Sequence, residues 1–356
     1  MCCSKCASVI KNVIGPHFKA NLAQDIGDSY YSLIIDESTD VTVATFLAIS
    51  IIYHSVTNST IVTTFLNLFT FEVCTADRIV VAVKSTLLEY FLNMERIRGI
   101  ATENASVMTG INNGVHRKLK GEALHLVLIH RVCHSLQLAT LAATVEALPR
   151  KLEYLISEKY NLFTRSPARQ IAYKKLYGLI NDGDEPLKIV QVCRTRWLSL
   201  EIAVSRIVDQ WTELKAHFEI ARRTKKYYAA EVLCGMYENQ INLGYLLFLR
   251  PIVTDAQKVN KAFEAKDADQ TKLLKGLVTL FLSLVLKFLI PTMQMDVLTS
   301  RLEDHLNHKP YLRNLFEAYV DNMKTKKTDG FSLADEAVMR ESCIRFITTL
   351  VDQIRQ

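Results

Sequence analysis

The pattern of hydrophobic and polar positions changes character near residue 134. Before that point, short apolar runs at residues 30–35, 46–53 and 61–71 are rich in β-branched and aromatic residues and are separated by turn residues. Such runs predict three strands. A helix capped by Thr75, a strand at 96–102, a helix at 106–122 and a strand at 125–132 are predicted to follow. The order indicates a mixed α/β domain.

After residue 134 the apolar positions recur three or four residues apart, as in Leu152, Leu155 and Ile156, which predicts helices. The predicted fold class is therefore α/β plus all-α. It divides into a lead-in segment (1–28), an α/β core (29–134) and a helical region (135–356). The strongly apolar run at 277–290 predicts a helix that is buried on all sides.

The composition excludes several classes of protein. The chain has 356 residues, of which 49% are hydrophobic and 22% charged, as in a folded globular protein. Its net charge of +6 is compatible with nucleic-acid contact but does not require it. The eight cysteines are scattered, which favours reduced thiols over a disulfide scaffold. With no signal peptide and no apolar run of about 20 residues, we expect a nuclear or cytoplasmic protein that is not secreted and does not enter a membrane.

Two acidic residues follow predicted strands and are the main candidates for chemistry. Asp36 ends the first apolar run, and Glu103 follows the strand at 96–102. Carboxylates at a sheet edge can bind a hard metal ion such as Mg²⁺. The arrangement suggests an RNase H-like metal-ion nuclease core. A structural alternative remains for each residue, because Asp36 can simply end a strand and Glu103 can stabilise the start of the next helix.

Four ordered segments resemble the hAT-superfamily transposases. They are Leu-Ile-Ile-Asp36-Glu-Ser-Thr-Asp, Gly-Ile-Ala-Thr-Glu103-Asn-Ala-Ser, Val-Cys133-His134-Ser-Leu-Gln-Leu-Ala and Thr195-Arg196-Trp197-Leu-Ser. The resemblance implies an RNase H-like mixed sheet followed by a large helical insertion. It also implies an ancestor that cut and joined DNA with three carboxylates and two metal ions.

The carboxylate set implied by the resemblance is incomplete. Asp36 matches the first acid, whereas Glu103 stands where the family has Asp. The extra methylene displaces the carboxylate by about an ångström, and an error of that size can reduce a rate about 100-fold. No residue matches the third carboxylate. In the family's Cys-x-x-His pair, His134 matches the histidine but Arg131 replaces the cysteine, while Cys133 is expected to point away at a strand end.

Trp197 matches the family's tryptophan that stacks on a base beside the cleavage site. Stacking on an aromatic ring holds an unpaired base regardless of its sequence. Arg194 and Arg196 are the expected phosphate contacts. The basic runs at 222–226 and 324–327 are further candidates for DNA contact, with exposed helix ends as the alternative.

We therefore expect a catalytically inactive, transposase-derived protein that retains at most nucleic-acid or partner binding. One alternative is an active metal-dependent transposase or nuclease that uses Asp36, Glu103 and an unidentified acid. Another is a host-adopted protein-binding scaffold in chromatin or transcription. No cofactor is expected, with Mg²⁺ the ion for any residual binding at the two acids. DNA binding and self-association are the candidate interactions. The family's zinc-finger and C-terminal dimerisation segments are not recognised, so the chain resembles the middle of a longer ancestor.

Overall fold

The chain divides into two compact units, Met1–Ser135 and Leu136–Gln356. The structure is a computed structural model that describes residues 3–39, 44–103, 105–130, 132–189, 198–225, 228–265, 270–286, 288–289, 300, 303–307, 310–326 and 331–355. None of the described helices is both long enough and apolar enough to cross a lipid bilayer.

The first unit is built on a mixed sheet. Its elements are α1 (Cys3–Val9), a π-helical segment (Ile10–Ile14), α2 (Gly15–Ile26), β1 (Tyr31–Thr39), β2 (Thr45–Ser55), β3 (Thr60–Phe71), α3 (Ala76–Glu89), a 3-10 turn (Met94–Arg96), β4 (Ile97–Thr102), α4 (Ser106–Thr109), α5 (Val115–Lys120) and β5 (Val127–His130). The strand order is β3-β2-β1-β4-β5. The first three strands are antiparallel, whereas β4 runs parallel to β1 and β5 runs parallel to β4.

The alternation of side chains gives this sheet two different faces. On the core face, Leu33 and Ile35 of β1 and Ile49 and Ile51 of β2 are fully buried. Residues of α2, α3 and α5 join the same hydrophobic cluster. The opposite face, called the open face below, carries side chains such as Ile34 that are only half-buried. Because side chains alternate along a strand, Asp36 lies on the open face with Ile34.

A single carboxylate fastens α2 to the hairpin formed by β2 and β3. Asp25, in the last turn of α2, accepts hydrogen bonds from the Tyr53 hydroxyl at 2.8 Å and from the Thr57 hydroxyl at 2.6 Å. It also accepts one from the Thr57 backbone N–H at 3.1 Å. These donors, with Thr57 first, hold the pKa of Asp25 well below its usual range. The helix end and the hairpin turn therefore share one anchoring point.

The second unit is helical. Its elements, including a helix that begins just before the unit boundary, are α6 (Val132–Ala147), α7 (Arg150–Thr164), α8 (Pro167–Ile180), α9 (Leu198–Asp209), α10 (Trp211–Lys225), α11 (Tyr228–Glu238), α12 (Gln240–Glu264), α13 (Gln270–Val285), a 3-10 turn (Glu303–His305), α14 (Asn314–Thr325) and α15 (Leu333–Arg355). Aromatic rings fill part of its core, where Phe163 lies 5.2 Å from Tyr173 and 6.1 Å from Phe218 between ring centroids.

The most deeply buried charged residue of this helical core is Lys159. The Lys159 side chain on α7 is 0% exposed, and its Nζ has no hydrogen-bond partner within the described structure. Burial, followed by the nearby charge of Arg206, lowers the pKa of Lys159 from 10.5 to about 7. A lysine buried without a partner is unusual, because an ammonium group loses its hydration on leaving water.

The mixed sheet and the helical region confirm the predicted fold class, but several local predictions were wrong. The helix predicted at 106–122 is divided into α4 and α5. Its break lies at Gly110 and Gly114, where a Cβ on Gly114 would approach the Gly110 backbone to 2.5 Å. The fifth strand ends at His130, and Val132 already begins α6. Cys133 is therefore helical, so the expectation that it points away at a strand end does not apply.

The apolar segment at 277–290 is not covered on all sides, contrary to the prediction. The helix α13 ends at Val285, and while Leu284 is 1% exposed, Val278 is 46% and Leu286 is 61% exposed. Only one side of the helix joins the core of its unit, together with Leu280 and Phe281. Apolar residues occur on every side of this helix, but only one side of it is buried, as in an amphipathic helix.

Candidate carboxylate site

The strand pairing brings the two candidate acids close to each other where the parallel ladder between the central strands β1 and β4 ends. In the parallel ladder between β1 and β4, Leu33 is opposite Ile100 and Ile34 is opposite Ala101. Continuing this register by two residues along each chain places Asp36 opposite Glu103. Glu103 directly follows the last residue of β4. Both acids are half-buried.

Asp36 does not end its strand, which corrects the sequence interpretation. β1 continues to Thr39, and its antiparallel ladder with β2 runs on through Asp36, which is opposite Ala48. What ends before Asp36 is the parallel ladder with β4. Asp36 therefore lies just beyond the parallel ladder with β4 but within the antiparallel ladder with β2, so regular strand backbone positions its carboxylate.

The neighbouring acid, Glu37, is used on the other face of the sheet. Burial raises the pKa of the Cys74 thiol to about 11, with the charge and hydrogen bond of Glu37 as the next causes. Glu37 thus contacts the loop before α3, and alternation along β1 turns it away from Asp36. It does not supply a third carboxylate to the open face. A thiol with so high a pKa is also a poor nucleophile at neutral pH.

The loop after Glu103 does not use this acid as a helix cap. The N-cap of α4 is Ala105, which makes no side-chain cap hydrogen bond. The buried Thr102 hydroxyl donates to the Glu103 carbonyl at 3.1 Å and fixes the backbone at this point. The proposed capping role of Glu103 therefore receives no support from the described geometry.

These two acids do not form a complete centre for two metal ions. Across the described part of the chain, no group of three or more His, Cys, Asp or Glu side chains is placed to hold a metal. Two-ion catalysis requires ligands that hold the ions about 3.5–4 Å apart. Among the described residues, Asp36 and Glu103 are the two acids of this site whose carboxylate oxygens could be ligands for one Mg²⁺.

Several predicted site residues cannot be placed. Arg131, Arg194, Arg196 and Trp197 lie outside the described residues. His134 lies in the first turn of α6, but its side chain is also outside the description. Their proposed roles in stacking, phosphate contact and the degenerate Cys-x-x-His motif stay predictions.

Several residues of the basic runs form ion pairs. Arg222 lies 3.2 Å from Glu238, and Arg223 lies 2.7 Å from Glu219. Lys324 is likewise 2.8 Å from a glutamate on α15. These three pairs are compatible with the alternative interpretation of exposed helix ends, and DNA contact by the runs stays a prediction.

A cationic and aromatic cluster that the sequence interpretation missed lies at the opposite end of β1. The Tyr30 ring is 54% exposed, and the guanidinium carbons of Arg98 and Arg96 lie 3.8 and 5.2 Å from its centroid. A hydrogen bond from Arg98 is the main cause that lowers the pKa of Tyr30. The signal for this cluster in the sequence was the presence of an arginine on each side of Ile97. Aromatic rings and guanidinium groups of this kind are the side chains that bind bases and phosphates in nucleic-acid sites.

Comparison with known proteins supports the RNase-like part of this description. Residues 1–114 match the model of the family DUF4371, described as ZMYM1/FAM200, RNase-like domain. The matched segment contains β1 to β4 and both candidate acids. A search of the curated proteins finds no match to the chain. The chain therefore combines an N-terminal RNase-like domain, similar to that of ZMYM1/FAM200 proteins, with a helical region, and the match supports a transposase-derived domain.

Proposed function

We propose that this chain is a transposase-derived protein of hAT type that neither cleaves nor joins DNA and that retains binding to nucleic acid or to a protein partner. The proposal rests on one observation, the pair of acids at the end of the β1–β4 ladder. The strand register, which extends to put the two acids side by side, supports a nuclease-like scaffold. The longer glutamate at 103 and the lack of a third ligand among the described residues support the loss of catalysis. The scaffold is kept while its catalytic set is incomplete.

The incomplete set has a direct chemical consequence. In a two-ion mechanism one metal activates the attacking oxygen and the other stabilises the leaving oxygen, so both must be held at once. Two carboxylates that share one ion leave either the attacking or the leaving oxygen without its partner. Because misplacement by about an ångström already reduces rates about 100-fold, the glutamate at 103 adds a second defect.

Cleavage assays on the purified chain test this proposal. DNA that carries inverted repeats is incubated with the protein and Mg²⁺ or Mn²⁺, and nicked and joined products are resolved on denaturing gels. We expect no metal-dependent product from the unaltered chain, from Asp36→Ala or from the control Asp28→Ala, which changes an exposed aspartate. Metal-dependent cleavage that is lost in Asp36→Ala and kept in Asp28→Ala would refute the proposal and establish an active nuclease.

Binding measurements test the retained activity. If binding uses the segment matched to the transposases, Arg196→Ala should weaken binding to all sequences alike and flatten the dependence on salt by about one unit. Trp197→Ala should weaken binding to hairpin or single-stranded junctions more than to plain duplex, because stacking requires an unpaired base. An equal loss on both substrates together with a lower melting temperature would show that Trp197 serves packing.

A further inference from the structure

β3 lies at the outer edge of the sheet, and no further strand of the described residues pairs with it. β3 is an edge strand of 12 residues, Thr60–Phe71, and none of them is charged. Natural proteins usually protect such edges with charged residues, proline or a short strand length, because the free backbone groups can accept a further strand. The one irregularity in β3 is the shift in its pairing with β2 between Ile49 and Ser50.

The open face beside this edge is apolar and exposed. Ile61 is 72%, Phe65 is 55% and Leu68 is 53% exposed. Phe65 is paired with Ser50, and Leu68 with Ala48, which places both on the open face. A row of large apolar side chains along a sheet edge is characteristic of a contact surface.

The helical side of the same edge is also lined by exposed apolar residues. A groove of about 930 Å³ runs beside the middle of β3 and includes Phe18 of α2, which is 65% exposed. A second groove of about 470 Å³ lies beside Phe69 and Phe71 and includes Val81 of α3, also 65% exposed. Apolar surface therefore borders the free edge on both faces of the sheet.

We propose that β3 pairs with β3 of a second copy of this chain, in antiparallel orientation about a two-fold axis perpendicular to the sheet. Such an axis keeps the same face of each sheet on the same side. The exposed row on the open face then meets its own counterpart, and so do the helix residues at the grooves. The two sheets become one continuous sheet across the seam. This inference is independent of the proposed loss of DNA cleavage.

The charge and size of the edge favour a second copy as the occupant. Since β3 contains no charged residue, self-pairing places no like charges opposite each other. At about 3.4 Å per residue the seam is about 40 Å long. A strip about 10 Å wide, the thickness of one sheet with the side chains of both faces, buries roughly 400 Å² per copy. The exposed helix residues at the two grooves enlarge the contact toward the roughly 800 Å² per partner of a standard interface.

The oligomeric state of the full chain tests the proposal. Sedimentation velocity over a range of concentrations should show a reversible dimer for the unaltered chain. Phe65→Lys and Ile61→Lys, measured separately, should each raise the dimer dissociation constant at least tenfold, because each places a charge in the apolar row. Leu124→Lys is the matched control: Leu124 is 78% exposed and lies before β5, the opposite edge strand, so its dimer should persist.

A second measurement on the unaltered chain remains informative if a lysine variant fails to fold. Hydrogen exchange in dilute and concentrated solution should show slower exchange in β3 at high concentration, and no comparable change in β5. The proposal would be overturned if the chain were monomeric at every concentration. It would equally be overturned if a monomeric chain paired its β3 edge with an extended segment of an unrelated protein. So would a dimer that resists both β3 variants or that protects β5 in place of β3.

Discussion

The buried Lys159 provides the most specific prediction about stability. Replacing it with methionine keeps a long flexible side chain but removes the amine that is fully buried in the helical core. The folded pKa of about 7 lies roughly 3.5 units below 10.5, the value for the exposed group. At 1.36 kcal/mol per unit, the protonated lysine lowers the free energy of unfolding by about 5 kcal/mol at pH values below both pKa values.

The sign of the pH dependence follows from proton binding. Between pH 7 and 10.5 the unfolded chain keeps its proton on Lys159 while the folded chain has released it. Stability is therefore lowest below pH 7 and rises with pH through this window. Lys159→Met removes this dependence. Its stabilising effect should be about 5 kcal/mol at pH 6 and about 2 kcal/mol at pH 9.

Urea unfolding of both proteins at pH 6 and pH 9, followed by circular dichroism at 222 nm, measures this difference. Lys151→Met on the same helix is the control, because Lys151 is exposed and should change the free energy of unfolding little at either pH. The reasoning fails if Lys159→Met destabilises the protein at pH 6, or if its effect is the same at both pH values. Either result would mean that the ammonium is hydrated or paired in the folded protein.

Three further predictions concern packing, an ion pair and a glycine. Leu284→Ala should lower the free energy of unfolding by about 2–5 kcal/mol, whereas the exposed Leu274→Ala should be nearly neutral; similar midpoint shifts in urea would contradict the one-sided burial of α13. Arg340→Met should cost about 2 kcal/mol at pH 7, because Arg340 donates to both carboxylate oxygens of Glu317 at 3.0 and 2.7 Å. Burial alone would raise the pKa of Glu317, but the hydrogen bonds from Arg340 outweigh this effect and lower the pKa. The stability lost in Arg340→Met should therefore become smaller as the pH is lowered below 4.5 and Glu317 becomes protonated. A loss of stability that does not change with pH would contradict this ion pair. Gly235→Ala in α11 should stabilise by about 0.5–1 kcal/mol, since an added Cβ meets nothing within 4 Å, and a lower melting temperature would show a hidden clash.

The individual strands of the sheet could be predicted because each depends on a local pattern. The apolar runs around Leu33, Ile49 and Ile100 alternate with turn residues, and such spacing restricts the number of topologies. The division of the helix at 106–122 was harder to predict. It depends on the close backbone approach of Gly110 and Gly114, and a glycine in sequence does not reveal which atoms surround it.

The candidate site could be predicted only in part. The positions of Asp36 and Glu103 after apolar runs indicated one sheet edge, but the contact of Glu37 with Cys74 joins residues that are distant in sequence. Lys159 gave no signal, because a lysine in an amphipathic helix normally lies on the solvent side. Such features arise from packing between elements, which periodicity along one element does not encode.

The attachment of α2 through Asp25 has a mechanical consequence. The N-terminal helices expose Val13 and Phe18, whereas Ile26 is buried at the end of α2. A force applied to the N-terminus would therefore pass along the helix and be transferred to the hairpin turn through the hydrogen bonds at Asp25. We expect Asp25→Asn to lower the rupture force of the first unfolding event in an optical trap. An unchanged rupture force would show that the buried contacts of α2, and not this carboxylate, bear the tension.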